Sequence, residues 1–149
     1  MNFLERLFLK IYFATKIPMI FFCKPRIIKS STEKVVVKIP FIRRNKNHLG
    51  SMYFGALSVG ADLSAGLLAV NCIRRKKSKA KLVFKDFTAD FLKRPLSDVY
   101  FEAINKDSSI DKLVEENINS AKRVSFTIDV KAICDNEIVA TFTLTTSIK

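Results

Sequence analysis

The stretch that decides the fold is residues 51–73, SMYFGALSVGADLSAGLLAVNCI, in which the only ionisable side chains are Tyr53, Asp62 and Cys72. Basic segments flank it, with RRNKNHLG before and RRKKSKAK after. A helix that is apolar on all sides is surrounded either by the rest of a globular domain or by lipid. With about 20 apolar residues it is also long enough to span a bilayer.

Two features favour a buried central helix over a membrane span. Asp62 would lie at the bilayer centre, where a carboxylate costs about 2.5 kcal/mol or more. The chain after this stretch alternates between apolar and polar residues, as strands do, and a sheet needs a second layer to cover its apolar face. We therefore predict a central helix at residues 51–73 that a sheet surrounds.

Length and composition predict one globular domain. The chain has 149 residues, of which 48% are hydrophobic and 27% charged, enough for a sizeable core. We expect a single domain over residues 1–149, in which residues 1–29 form a helical and apolar N-terminal extension. Cys23, Cys72 and Cys134 have neither disulfide nor zinc-site spacing. They are typical of buried thiols in a reducing compartment, and no secretory signal is recognisable, so we expect a cytoplasmic protein.

The net charge of +12 is uneven, since residues 1–50 carry 11 basic and 2 acidic groups while residues 101–149 carry 6 and 8. Such a field attracts polyanions, whether nucleic acid, an anionic membrane or a phosphorylated cofactor. The sequence has no recognisable DNA-reading helix, zinc finger or aromatic sheet motif, so nucleic acid is not the expected partner. Neither a metal cluster nor a glycine-rich phosphate loop is visible, and we expect no metal.

An amphipathic helix is predicted at residues 2–15, because apolar residues recur there at helical spacing: Leu4, Leu7, Phe8, Ile11 and Tyr12. Two interpretations of its apolar stripe stay open. It covers a sheet edge or an open end of the core, or it attaches the protein weakly to a membrane surface.

The remaining elements follow from apolar alternation and turn residues. Strands are predicted at 34–42, 81–92, 98–105, 124–134 and from 138 onward, with a β-bulge near Lys85 and Asp86 where the apolar phase changes. A helix is predicted to open at Ser108, with Asp111 as its capping partner. The predicted order is α-β-α-β-β-α-β-β. A three-residue loop at 135–137 is predicted between the last two strands, because it places their apolar residues on one face.

This arrangement, a curved antiparallel sheet around one long apolar helix, resembles the hotdog fold of acyl-thioester enzymes, an α+β fold. Residues 47–62, NHLGSMYFGALSVGAD, resemble the pattern N-x-x-G-x-x-H-x-G followed by an acid, which is typical of phenylacetate-pathway thioesterases. Tyr53 stands where that branch has its histidine, and Phe54 where it has a glycine. With these two residues, the segment more closely resembles a related hotdog family of unknown function. The positions that match the pattern are Asn47, Gly50, Gly55 and Asp62.

The resemblance implies a homodimer, or a dimer of dimers, with sites at the subunit interface. It implies an acyl-CoA or acyl-carrier ligand, with CoA entering as part of the substrate and no separate cofactor. The predicted function is acyl-CoA thioesterase. Two alternatives stay open: a non-catalytic acyl or CoA binding protein, and a peripheral membrane protein.

Four residues are predicted to form the catalytic site. The Gly55 N–H, at the positive end of the central helix, would polarise the thioester carbonyl, and Asp62 would act as base or nucleophile. The two lie about 10 Å apart along the helix, so the resemblance implies that the acid comes from the partner subunit. Asn47 would orient the carbonyl or a water, or else bond only its own loop; Asp62 would alternatively bond a neighbouring group. Tyr53 could donate a hydrogen bond to the carbonyl, but its hydroxyl is a poor base near neutrality.

A basic run follows the central helix and offers candidates for ligand binding: Arg74, Arg75, Lys76 and Lys77. Cations at a helix C-terminus are favoured by the dipole, so a merely solvated helix end is one interpretation. The other is a clamp for the CoA phosphates or a carrier-protein surface.

Overall fold

The computed structural model describes the backbone of residues 3–149, and the side chains from residue 7 onward except that of Lys10. In chain order the helices and strands are α1 (Phe3–Lys16), α2 (Pro18–Phe22), β1 (Arg26–Ser30), β2 (Lys34–Ile39), α3 (Phe54–Arg75), β3 (Leu82–Phe91), β4 (Val99–Ile104), α4 (Ser109–Ser120), β5 (Val124–Cys134) and β6 (Glu137–Ile148).

The six strands form one antiparallel sheet in the order β1-β2-β4-β5-β6-β3. Helix α3 lies against its inward face, and the described core residues of β2, β4, β5 and β6 pack with it in one cluster. The alternation is regular in β5, where Phe126, Ile128 and Val130 are buried and the residues between them are exposed. Strand β3 follows α3 directly and forms one edge of the sheet.

Helix α3 is buried because the sheet covers it. It is long and apolar enough to cross a membrane, yet Leu57, Leu63 and Leu68 are at most 4% exposed within the fold. It begins three residues later and ends two residues later than predicted. Gly60 lets it approach β4 closely, since a Cβ there would lie 2.3 Å from the ring of Phe101.

The two bulges show how well alternation fixes register. The register shift in β3 lies between Phe84 and Asp86, where the change of apolar phase predicted it. Between β5 and β6 the predicted pairing of Ala132 with Ala140 is confirmed. The predicted three-residue loop is wrong: Cys134 pairs with Glu137 across a two-residue turn.

The loop is shorter than predicted because the β5–β6 pair contains a second bulge, which the alternation of apolar residues does not reveal. Asp135 and Asn136 have φ of 49° and 64°, the left-handed pair that a tight hairpin turn requires. A register shift next to Ala132 then restores the common buried face. Its extra residue is Val139, whose carbonyl accepts hydrogen bonds from the N–H groups of Leu92 and Lys93.

Two elements between residues 17 and 33 were not predicted, α2 and β1. The capping prediction at α4 is also wrong. Ser108 makes no capping hydrogen bond from its side chain, and the Asn105 carboxamide oxygen accepts from the Ile110 N–H instead, at 3.0 Å. Asp111 is free to bind elsewhere.

The apolar stripe of α1 faces solvent rather than the core. Phe8 is 60% exposed and Ile11 56%, and Leu7 and Tyr12 are also exposed; the side chain of Leu4 lies outside the described residues. The residues that pack inward are Leu9 and Phe13. The predicted helix is therefore present, but its apolar stripe is not the face that covers the domain.

Candidate functional site

The loop before α3 is held by two asparagines with different tasks. The Asn47 carboxamide oxygen accepts from the N–H groups of Leu49 and Ser51, at 3.0 and 3.1 Å, and its nitrogen donates to the Ser51 hydroxyl oxygen at 3.0 Å. The Gly50 N–H donates to the Asn47 backbone carbonyl at 3.1 Å, with Gly50 at φ 75°. Asn47 therefore closes the 47–51 turn with the groups that were predicted to orient a carbonyl or water.

Asn45 is the residue that sequence reasoning missed. It is fully buried, and its carboxamide nitrogen donates to the carbonyls of Cys23 and Pro40, both at 2.9 Å. Its backbone carbonyl accepts from the Tyr53 N–H at 2.8 Å. Asn45 thus ties the start of α3 to the end of α2. In RRNKNHLG only the structure distinguishes it from Asn47.

The N-terminus of α3 carries unpaired donors. The Tyr53 carbonyl accepts from the N–H groups of Ala56 and Leu57, at 2.9 and 3.1 Å, whereas those of Phe54 and Gly55 have no acceptor among the described residues. These N–H groups lie at the positive end of the helix dipole. An electron-rich oxygen would be stabilised there.

An aromatic ring lies against Gly55. A Cβ on Gly55 would be 2.4 Å from Cε1 of Tyr53, so only glycine leaves space for that ring. Tyr53 is 45% exposed and its ring centroid is 4.7 Å from that of Phe54. The rings continue through Phe91, 6.3 Å from Phe54, to Phe142, a further 5.9 Å away. We call these four residues and Phe87, 5.5 Å from Phe142, the aromatic row.

Asp62 lies on the one face of α3 that the domain leaves partly open, which we call the open face: Gly55, Val59, Asp62, Gly66 and Val70. Asp62 is half-buried, and burial raises the pKa of its carboxyl above the usual range. No described residue donates a hydrogen bond to it. The hydroxyl of Ser58, one turn earlier, donates to the Phe54 carbonyl at 3.0 Å instead.

The open face runs alongside edge strand β3. Phe54 at the start of α3 meets Phe91 at the end of β3, and a Cβ on Gly66 would lie 3.8 Å from the ring of Phe84 near its start. The helix and the strand are thus antiparallel, and Asp62 lies between these two contacts. Asp62 and the aromatic row therefore lie along the same surface, between α3 and β3.

The basic run divides into engaged and exposed cations. The Arg75 guanidinium binds Asp111 at 2.6 Å and the Thr32 hydroxyl at 2.8 Å, and Lys76 pairs with Glu115. The side chains of Arg74 and Lys77 are exposed and make no hydrogen bond or ion pair with a described residue. Arg74 lies about 30 Å along the helix from Gly55, so one chain does not bring the basic run to the N-terminal donors.

A separate cavity of about 850 Å³ lies on the outer face of the sheet, lined by residues that include Val36, Tyr100 and Ile133. None of the predicted site residues lines it. In the described part of the chain, no three His, Cys, Asp or Glu side chains are grouped so that they could hold a metal ion. Among the described residues, the surface along α3 and β3 is the feature that brings Tyr53, Gly55 and Asp62 together.

Solved structures with the same architecture come from several bacteria. A protein of unknown function from Pseudomonas aeruginosa, described as a "Probable Thioesterase", is 22% identical, with 96% of this chain and 95% of that chain covered and a TM-score of 0.80. A thioesterase from Haemophilus influenzae is 14% identical, with 95% of this chain and 87% of that chain covered and a TM-score of 0.73. A protein of unknown function from Chlorobaculum tepidum is 10% identical, with 95% of this chain and 92% of that chain covered and a TM-score of 0.85.

These likenesses confirm the predicted hotdog fold, with an additional N-terminal helix. No curated protein matches the chain. The family comparison matches nearly the whole sequence, residues 5–148, to the Domain of unknown function family DUF4442. The chain therefore has the hotdog fold and belongs to the DUF4442 family.

Proposed function

We propose that this protein is a thioesterase that hydrolyses an acyl thioester such as acyl-CoA at a site between two copies of the chain. The observation that carries the proposal is Asp62, a half-buried carboxylate on an apolar helix, without a hydrogen-bond donor among the described residues. Burial raises the pKa of this carboxyl, and an acid with a raised pKa on a partly open apolar surface is typical of functional sites.

The partner copy is inferred from the edge strand. Phe87 and Phe91 share the inward side of the sheet with Leu144 and Ala140, to which they are paired, yet they are 40% and 50% exposed. Strand β3 also pairs on one side only. Pairing of β3 with β3 of a second copy would continue the sheet and cover these rings.

The partner also solves a distance problem. Gly55 and Asp62 of one helix are about 10 Å apart along the axis, too far to act on one carbonyl group. When two copies place their open faces together, Asp62 of one copy can approach Gly55 of the other. The acyl chain would lie along the aromatic row, whose exposed rings offer it apolar contact.

The proposed chemistry uses these groups in one sequence. The Gly55 N–H donates a hydrogen bond to the thioester carbonyl oxygen and stabilises the negative charge that develops on it. Asp62 accepts a proton from a water molecule, which attacks the carbonyl carbon. The C–S bond then breaks, the proton passes to the leaving thiolate, and a carboxylic acid and a thiol are released. In the variant with Asp62 as nucleophile, an anhydride forms first and water hydrolyses it.

The test is a panel of acyl-CoA substrates of different chain length with the wild type, Asp62→Asn and a matched control, Asp107→Asn, which changes an exposed acid outside the proposed site. Loss of a general base lowers kcat by roughly 10²- to 10⁴-fold. We expect that loss for Asp62→Asn and none for Asp107→Asn. Equal turnover by all three proteins would exclude Asp62 from the chemistry.

One observation favours a second candidate function, a non-catalytic acyl or CoA binding protein. The Tyr53 ring occupies the space beside Gly55 that a thioester would need for a close approach. Acyl-CoA that remains bound to the purified protein without being hydrolysed, detected by mass spectrometry, would support this function. Hydrolysis of any member of the panel would exclude it.

A further inference from the structure

The N-terminal helices expose an apolar surface that the proposed thioesterase site does not use. Its large apolar side chains are each 38–65% exposed: Leu7, Phe8, Ile11, Tyr12, Ile17, Met19, Phe21 and Phe22. All lie within 16 consecutive residues, on two helices that contact each other. Leu7, Phe8, Ile11 and Tyr12 recur at the spacing of one helix face. We call these exposed side chains the α1–α2 surface. Exposed apolar patches of this kind mark interaction sites.

The surface is held outward by the contacts beneath it. Leu9, Phe13, Ile20 and Cys23 pack inward against the core cluster. At the end of α2, Asn45 donates to the Cys23 carbonyl at 2.9 Å. A rotation that buried the exposed side chains would remove these inward contacts. The inward contacts therefore fix the two helices in the orientation that exposes the α1–α2 surface.

Cations outnumber acids in the part of the chain that carries the surface. Residues 1–50 have 11 Lys and Arg residues and two acids, Glu5 in α1 and Glu33. Lys16 ends α1, Lys24 follows α2, and both are exposed. The exposed Arg44 donates to the Phe22 carbonyl at 3.3 Å, and its guanidinium carbon lies 5.0 Å from the centroid of the Phe22 ring. Arg43 beside it is exposed as well.

We propose that the α1–α2 surface docks the protein on a membrane with anionic lipid headgroups. Aromatic and aliphatic side chains enter the headgroup boundary while flanking cations bind the headgroups, as in interfacial amphipathic helices. A second copy of this chain fits less well, because two such surfaces would bring like charges together. The inference is independent of the thioesterase proposal and uses different residues.

The test is flotation with vesicles of phosphatidylcholine alone and of phosphatidylcholine with phosphatidylglycerol. We expect the wild type to float with the anionic vesicles, less with the neutral ones, and less at high salt. Phe8→Ser/Met19→Ser should reduce binding to anionic vesicles by at least about five-fold, because two exposed apolar contacts are removed. Lys16→Glu/Arg43→Glu should do the same at low salt without altering the apolar contacts.

The matched control is Leu96→Ser/Ile104→Ser, which removes two exposed apolar side chains, 65% and 47% exposed, from a loop and the sheet. We expect it to bind vesicles as the wild type does. The proposal is wrong if the wild type binds neither vesicle, or if Phe8→Ser/Met19→Ser binds anionic vesicles as the wild type does. A third outcome would also contradict the proposal: the wild type does not bind vesicles, and Phe8→Ser/Met19→Ser forms a smaller oligomer than the wild type in sedimentation velocity. The α1–α2 surface would then join two copies of the chain.

Discussion

Two acids beside α3, Asp62 and Asp111, lie in opposite kinds of surroundings. Asp111 on α4 has a side chain only 5% exposed, yet Arg75 binds one carboxylate oxygen at 2.6 Å and Asn105 donates to the other at 2.8 Å. Asp62, at the other half of α3, is half-buried and receives no hydrogen bond from a described residue. The more deeply buried acid is the better satisfied one.

The difference shows which half of α3 is held in place by polar contacts with the rest of the domain. Around Asp111, polar groups are matched to one another: Asn105 also binds the Thr32 carbonyl at 3.0 Å. Cys72 in the same cluster is inert, because burial and the neighbouring Asp111 carboxylate raise the pKa of its thiol to about 12. The C-terminal half of α3 is therefore structural, whereas the N-terminal half leaves Asp62 available for a ligand.

The largest stability effect is expected at Asp111. Asp111→Asn removes the charge that pairs with Arg75 and that accepts a hydrogen bond from Asn105. Since hydrogen bonds to charged groups contribute about 1.5–3 kcal/mol, we expect a loss of about 2 kcal/mol. Urea unfolding would measure it. An unchanged midpoint would show that the cluster around Asp111 does not hold α3 and α4 together.

Next comes the inner face of the N-terminal half of α3. Gly60→Ala would place a Cβ against Phe101, which is fully buried and cannot retreat, and overpacking costs about 1–3 kcal/mol. The matched control is Gly66→Ala, where a Cβ would meet Phe84 at an ordinary 3.8 Å. It should be neutral or more stable by up to about 1 kcal/mol from helix propensity. Equal effects at both positions would contradict the packing described here.

The ionised carboxylate of Asp62 should destabilise the folded protein at neutral pH. Burial raises the pKa of Asp62, so the folded state holds this proton more tightly than the unfolded chain, and stability falls as pH rises through the raised pKa. Asp62→Asn removes the buried charge. We expect a higher Tm at neutral pH, by roughly 2–4 °C if the gain is about 1 kcal/mol, and no difference in acid where both states are protonated. Calorimetry at the two pH values measures this, and a lower Tm at neutral pH would mean that the carboxylate is bonded.

The smallest effects are expected in the basic run. Arg74→Ala/Lys77→Ala removes two exposed cations, so the fold should be unaffected while KM for acyl-CoA rises several-fold, in line with exposed ion pairs worth about 0.2–1 kcal/mol each. Arg75→Ala, which breaks the contact with Asp111, should lower Tm instead. Steady-state kinetics with thermal unfolding separates the two, and an unchanged KM for the first variant would remove the basic run from ligand binding.

Much of the fold follows from periodicity alone. Strict alternation in β5 and β6 fixes which residues face α3, and the change of phase in β3 locates its bulge. The apolar alternation of β6 continues through Ile138, yet Ile138 is 40% exposed because the bulge at Val139 changes the phase there. For that reason the predicted 135–137 loop was wrong. Strand β1 was missed because its five residues include only two apolar ones, Ile27 and Ile28.

The candidate site was less accessible to sequence reasoning. Helical spacing in α1 identifies an apolar stripe but not the medium that it meets, so only the structure shows Phe8 exposed. Asn45 and Asn47 have the same local sequence signal, and their different tasks depend on α2, which was not predicted. The catalytic roles proposed for Gly55 and Asp62 depend on a second copy of the chain, which the pattern of one sequence does not place.

The most direct test of the central claim compares kcat/KM for acyl-CoA hydrolysis in Asp62→Asn and Asp111→Asn, at a temperature where both variants are folded. The two substitutions are chemically identical and both lie beside α3. We predict that Asp62→Asn loses roughly 10²-fold or more, while Asp111→Asn keeps the activity of the wild type. Full activity in Asp62→Asn, or an equal loss in both variants, would contradict the assignment of Asp62 to function and Asp111 to structure.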